Sequence, residues 1–204
     1  MKKLILLSSL IFTLLGCSDD QTEPIKPFEG VQLRDINAEP IGIYGIDWET
    51  DWQADTQLSN RELGLLNFND NLSLEGTSKG SLNSIVGYPN PTRDVFKIEL
   101  RSNTIVKFKV VVVNENFEVL DQLSSVGNSL ALDLNTLDSQ RRVFSAGILQ
   151  GFGGFNFSDS DLYPDKSIVR AYYSVSAEGH PNFATGFGDI LICKSSLQEC
   201  GVEI

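Results

Sequence analysis

Alternation of apolar and polar residues is cleanest in the middle of the chain. Val95-Phe96-Lys97-Ile98-Glu99-Leu100 puts every second side chain on one face. Val106-Lys107-Phe108-Lys109-Val110 repeats the pattern and then runs without a polar break to Val113. Period-two alternation of this kind predicts half-buried strands. Asn114-Glu115-Asn116-Phe117 has turn composition and Val119-Leu120 opens a return strand, so the segment reads as a hairpin. Leu130, Leu132 and Leu134 predict a further short strand. Ile168 to Val175 and Gly188 to Cys193 add two more, joined by a turn around Glu178-Gly179-His180-Pro181-Asn182. Short strands, hairpin turns and almost no helical period predict an all-β fold, an antiparallel sandwich.

Upstream the pattern is weaker. Prolines and charges in Thr22-Glu23-Pro24-Ile25-Lys26-Pro27 predict an extended tether over residues 17–40. Residues 41–87 read as an irregular leader packed on the sandwich. Ile41, Ile43, Tyr44, Ile46, Trp48 and Trp52 crowd together there with neither period clean, and Leu58 to Leu63 predicts a short helical turn capped by Ser59 or Asn60. The sandwich itself is expected over 88–204, with an insertion at about 135–166.

The amino terminus carries an address. Lys2 and Lys3 precede 12 apolar or small residues from Leu4 to Leu15, and Leu14-Leu15-Gly16-Cys17 closes the run. This arrangement resembles the lipobox of a bacterial lipoprotein signal peptide. The resemblance implies removal of residues 1–16, lipidation of Cys17 with a diacylglyceryl thioether and an acylated, palmitate-type amine, and membrane contact through that anchor. A spanning helix would take about 20 apolar residues, and Ser18-Asp19-Asp20 cuts this run short. The acidic pair just after Cys17 is similar to the surface-export signal of Bacteroidota lipoproteins, which favours the cell surface over the periplasmic face of the outer membrane.

Charge narrows the partners. The formal net charge of −11 becomes about −13 once the two n-region lysines are removed, and such a body repels nucleic acid and anionic head groups. With Cys17 assigned to lipid, Cys193 and Cys200 form an even pair in an oxidising compartment, which predicts a disulfide. No histidine lies beside them to complete a metal ligand set.

Tyr88-Pro89-Asn90-Pro91-Thr92-Arg93-Asp94-Val95-Phe96-Lys97-Ile98 resembles the opening of the immunoglobulin-like carboxy-terminal sorting domains on cargo of the type IX secretion system in Bacteroidota. The likeness covers roughly residues 87–134. It implies an immunoglobulin-like sandwich preceded by the signal peptide and tether. In physical terms the two prolines fix an extended lead-in, Asn90 can close a local turn and Asp94 can cap the entering strand. The chain departs from that family in its 135–166 insertion and in a closing segment, Gly201-Val202-Glu203-Ile204, that lacks basic residues. Small surface lipoproteins with the same opening are the nearer resemblance. With no catalytic constellation in the chain, the expected role is a non-catalytic binding or interaction module, with an envelope protein or a glycan as partner and no cofactor.

Candidate chemistry is sparse. Tyr44, Trp48 and Trp52 offer aromatic faces for a sugar ring, with Asp47, Glu49 and Asp51 near enough in sequence to bond hydroxyls; the competing reading is that these aromatics fasten the leader to the core. The same acids could act as a pair on a glycoside, which would require two carboxylates converging in a cleft. His180, the single histidine, sits in turn sequence with no positioned nucleophile beside it. Gly151-Phe152-Gly153-Gly154-Phe155 lacks the lysine and helix of a phosphate loop. Asp159, Asp161 and Asp165 have oxygen ligands that calcium accepts, outside any full calcium-loop pattern.

Overall fold

The computed structural model describes residues 26–28, 30–46, 48–72, 82–102, 106–127 and 155–203. Cys17, the expected strand at 130–134 and the glycine-rich stretch 151–154 lie outside them. Nine strands and one short α-helix follow in the order β1 (Gly30–Arg34), β2 (Pro40–Gly45), α1 (Asn60–Leu65), β3 (Leu82–Tyr88), β4 (Val95–Ser102), β5 (Val106–Val113), β6 (Val119–Gly127), β7 (Phe155–Asn156), β8 (Ile168–Ala177) and β9 (His180–Leu191) among the described residues. A single 3-10 turn, Trp48–Thr50, follows β2.

Two antiparallel sheets form an all-β sandwich. One runs β3-β4-β7 and the other β6-β5-β8-β9. The alternation seen in sequence points Phe96, Ile98 and Leu100 of β4 toward Val106, Phe108, Val110 and Val112 of β5 across one core, with Val169, Ala171, Tyr173 and Val175 of β8 filling the same layer. The β5–β6 hairpin turns at Asn114, whose side-chain oxygen accepts from the backbone N–H of Asn116 and Glu118.

The unbroken apolar runs have a separate cause. Val111, Val113, Tyr172 and Phe187 lie on the outer face of the four-stranded sheet, where Phe28, Leu58, Leu63, Leu66, Phe68 and Phe117 cover them. A sheet covered on both sides needs apolar residues at consecutive positions. Helix α1 adds Leu63 and Leu65 to this cover, and Leu58 and Leu66 flank it. It starts at Ser59, whose side chain accepts from Glu62 N while the Glu62 carboxylate accepts from Ser59 N, a complete capping box. Lys109 then donates to the carbonyls of Leu66 and Phe68, strapping the chain after α1 onto β5.

The segment boundaries differ from those read in sequence. Residues 30–34, expected in the tether, form a buried strand: Val31 and Leu33 pack with Leu191, Val202 and the two cysteines. Five residues with two inward side chains are too short to show a period. Residues 82–87, expected in the leader, belong with Tyr88 to β3, which pairs with β4 along its length. The carboxy-terminal part of the expected insertion belongs to the core, because Phe155 and Phe157 stack beside Phe96 and Tyr163. Aromatics spaced by single polar residues at 155–157 hold a two-residue strand on β4.

Candidate functional site

Trp52 adopts a left-handed backbone, φ 57°, and turns its indole into the sandwich. There it stacks on Tyr173 with ring planes 2° apart and leans on Phe96. Its bed is made by glycines: a Cβ built on Gly188 would stand 2.0 Å from the indole, and one on Gly87 2.4 Å. Only glycine leaves room for so close an approach. An enclosed ring presents no face to a sugar, so Trp52 is corrected from ligand contact to core plug. Tyr44 is half-buried against the cluster formed by Val31, Leu33 and the cysteines, with Gly201 beside its ring. The backbone of Trp48 lies in the 3-10 turn. The structure therefore does not assemble Tyr44, Trp48 and Trp52 into one exposed aromatic platform.

The acids near these aromatics separate as well. Asp51 is buried; its two oxygens accept from the N–H of Gln32 on β1 and of Asp189 on β9. Burial, and then the charge of Asp189, push its carboxyl well above the usual range, against the two backbone bonds. Glu49 is exposed and Asp47 lies outside the described residues. Asp189 faces Arg170, which is 1% exposed and donates through Nε and Nη2 to both carboxylate oxygens at 2.6 and 2.7 Å. The guanidinium also donates to the carbonyls of Lys26 and Pro27 and sits between the rings of Phe28 and Phe187. This cluster ties three things together: the end of the tether, β1 and the sandwich. Its polar atoms are engaged in that fastening.

Asn90 makes a second tie. Its amide donates to the Asp189 carbonyl and its side-chain oxygen accepts from Leu191 N, while its backbone exchanges two bonds with Arg34. The expectation that Asn90 closes a local turn is corrected: it joins β1, the β3–β4 connection and β9 across the fold. Tyr88-Pro89 and Asn90-Pro91 are both cis. Asp94 is exposed, and its carbonyl accepts from Phe157 N beside β7.

Cys193 and Cys200 are joined by a disulfide. Asp165 lies beside the two sulfurs, a grouping with metal-ligand spacing. Its Oδ1 instead accepts from Lys194 N and Ser195 N, which hold its carboxyl below the usual range, and sulfurs bonded to each other are not thiolate ligands. Asp159 similarly accepts from the N–H of Asp161 and Leu162, closing a local turn. His180 pairs with Ala177 at the first position of β9.

A cleft of about 510 Å³ opens between Lys26, Gln57, Asn60, Glu62 and Phe187. Its charged groups are occupied internally: Lys26 lies over the Phe187 ring and donates to Thr50, and Glu62 completes the α1 cap.

The β1–β2 hairpin presents a different kind of surface. Among the described strands β2 pairs with β1 alone, and no described strand lies along its other edge. Val31 and Leu33 face inward, and Ile43, opposite Gln32, faces out at 53% exposure. Ile36 in the hairpin loop and Ile46 just beyond the strand are 73% and 68% exposed. The strand Pro40-Ile41-Gly42-Ile43-Tyr44-Gly45 carries no charge. No signal in the 41–52 cluster distinguished these outward isoleucines from the inward Trp52, because the hairpin is too short for its register to be read.

No family model, curated protein or solved structure matches the chain.

Proposed function

We propose that this chain is a lipid-anchored protein of the outer membrane, exposed at the cell surface, that acts as a non-catalytic interaction module through its β1–β2 hairpin. The open apolar edge of β2, with Ile36, Ile43 and Ile46 exposed along the hairpin, carries the reading. The hairpin is irregular where Leu33 and Arg34 face Pro40 to Gly42, and the regular edge beyond it, Gly42 to Gly45, carries no charge; an uncharged apolar edge of this kind marks a place where another chain pairs.

The anchor rests on Leu14-Leu15-Gly16-Cys17 after an apolar run with two lysines before it. The kinship with immunoglobulin-like modules of Bacteroidota rests on Tyr88-Pro89-Asn90-Pro91, and its physical support is that Asn90 has a structural task at that position. Arg170 fastens the chain at Lys26 and Pro27. Eight residues separate Cys17 from Lys26, so at full extension this link reaches at most about 30 Å. A partner held at the hairpin is thereby kept close to the membrane.

The test has two arms in cells. Cys17→Ala should move the protein from the membrane to the soluble fraction. A photo-crosslinker placed at position 43 should give a discrete adduct on intact cells, and the same group at exposed Arg93 should not. An unchanged membrane association sinks the anchor, and equal crosslinking from both positions sinks the hairpin as the working surface.

A further inference from the structure

We infer that the open edge of β2 receives an extended strand from a partner protein, apolar on alternate residues and bracketed by basic residues. The inference rests on the interaction reading above and specifies its partner.

Backbone geometry sets the conformation of the occupant. Every second residue of an edge strand turns its N–H and C=O away from its neighbour, and on β2 that side faces no described strand. An added strand satisfies those groups by continuing the ladder, and its side chains then alternate between the two faces of the hairpin. On the outer face they meet Ile43, with Ile36 and Ile46 toward the two ends. Alternate apolar side chains on the partner would bury these three. β2 supplies no charge of its own along this stretch.

Charge sets the ends. Asp35 and Glu39 stand in the loop that leads into β2, and Glu49 is exposed in the 3-10 turn that follows it. Arg34 stands at the same end, where its guanidinium donates to the Ala38 carbonyl in this loop and to the Gln32 side chain and feels the charge of Glu39, so that Asp35 and Glu39 together still leave this end acidic. An apolar strand between two acidic ends selects a partner with Lys or Arg on both flanks. The same pattern argues against a second copy of this chain. Antiparallel pairing of β2 with itself would point Glu39 of each copy toward the Glu49 end of the other, like charge against like charge.

The test uses the full-length protein in detergent and three labelled synthetic peptides. One alternates valine and threonine between lysine pairs, the second has the same centre between glutamate pairs, and the third keeps the lysines with a proline at the centre. The lysine-bracketed peptide should bind at least tenfold more tightly than either other, lose affinity as salt rises, and slow amide hydrogen exchange within residues 40–46. Ile43→Lys, at an exposed position, should weaken binding at least tenfold with an unchanged melting temperature. Equal affinity for the lysine and glutamate peptides, no binding, or protection elsewhere than 40–46 would overturn the inference, as would a concentration-dependent dimer that Ile43→Lys abolishes. If position 43 still crosslinks to a partner on cells while the lysine-bracketed peptide fails to bind, the strand inference falls and the interaction reading stands. Loss of that crosslink removes both.

Discussion

Arg170 and Asp189 form a bidentate pair on adjacent strands β8 and β9, and the same guanidinium holds the carbonyls of Lys26 and Pro27. Removing one partner of a fully buried pair leaves the other charge without compensation, a loss of about 3–5 kcal/mol. Arg170→Ala should therefore lower stability by an amount in that range, measured by chemical denaturation. It should also free residues 26–28, so that limited proteolysis cuts near Lys26 under conditions where the parent protein resists. A stability loss with no new cleavage there would show that the tether is held by Phe28 packing rather than by the guanidinium.

Asp51 gives the fold a pH dependence of definite sign. Its folded pKa lies above its unfolded value of about 3.9, so the folded state binds more protons than the unfolded state between the two. Its contribution is thus fully present below about pH 4 and is lost as pH rises through the folded pKa. Unfolding free energy measured from pH 4 upward should fall over that window, and Asp51→Asn should flatten the fall. The variant should still be less stable at pH 5 by about 1–3 kcal/mol, because an amide cannot accept from both Gln32 N and Asp189 N. A parent protein whose stability rises steadily from pH 4 to 8 would contradict this account.

Trp52 and Gly188 are complementary in volume. Gly188→Ala places a methyl group where the indole lies, and the contact is with a rigid ring that β8, β9 and Phe96 enclose. The substitution should destabilise by more than the 1–3 kcal/mol typical of an overpacked core. Trp52→Ala should cost about 3–5 kcal/mol. Combining the two should cost less than the sum, since the methyl would then enter the vacated space. Additive losses in thermal or chemical denaturation would show that Gly188 is needed for backbone reasons alone.

The strands with clean alternation were legible because one face of each meets the core. Phe96, Ile98 and Leu100, or Phe108 and Val110, state their orientation in every second letter. The helical turn at α1 was legible for a different reason, since Ser59 and Asn60 are both cap-type residues at its start; the structure puts the cap at Ser59. What stayed illegible depended on long-range partners. β1 pairs with its hairpin neighbour β2, but what holds it on the sandwich is Asp51 and Asn90, and neither of these is local. Arg170 lies within the expected strand Ile168 to Val175, and it is among the largest fully buried side chains. Asp189, 19 residues away, makes that burial tolerable, and sequence does not announce the pairing. The surface at Ile43 was hidden in the same way: the 41–52 cluster mixes a plug, a packed tyrosine and outward isoleucines, and only the register of the hairpin sorts them.

Asn90 offers the sharpest check on why Tyr-Pro-Asn-Pro stands where it does. Its amide nitrogen donates to the Asp189 carbonyl and its oxygen accepts from Leu191 N, so the side chain stands in for one ladder step on β9. An aspartate keeps the acceptor and replaces the donor with a second oxygen facing a carbonyl. An alanine loses both bonds and leaves a buried N–H and C=O unpaired. Each should cost roughly 1–3 kcal/mol per orphaned group, and Asn90→Asp should recover part of its loss at low pH, where the protonated acid regains a donor. Hydrogen exchange at Leu191 would report the site directly: the amide should exchange faster in Asn90→Ala and stay protected in Asn90→Asp. Equal protection in the parent and the alanine variant would show that the backbone bonds between Asn90 and Arg34 suffice to hold this junction.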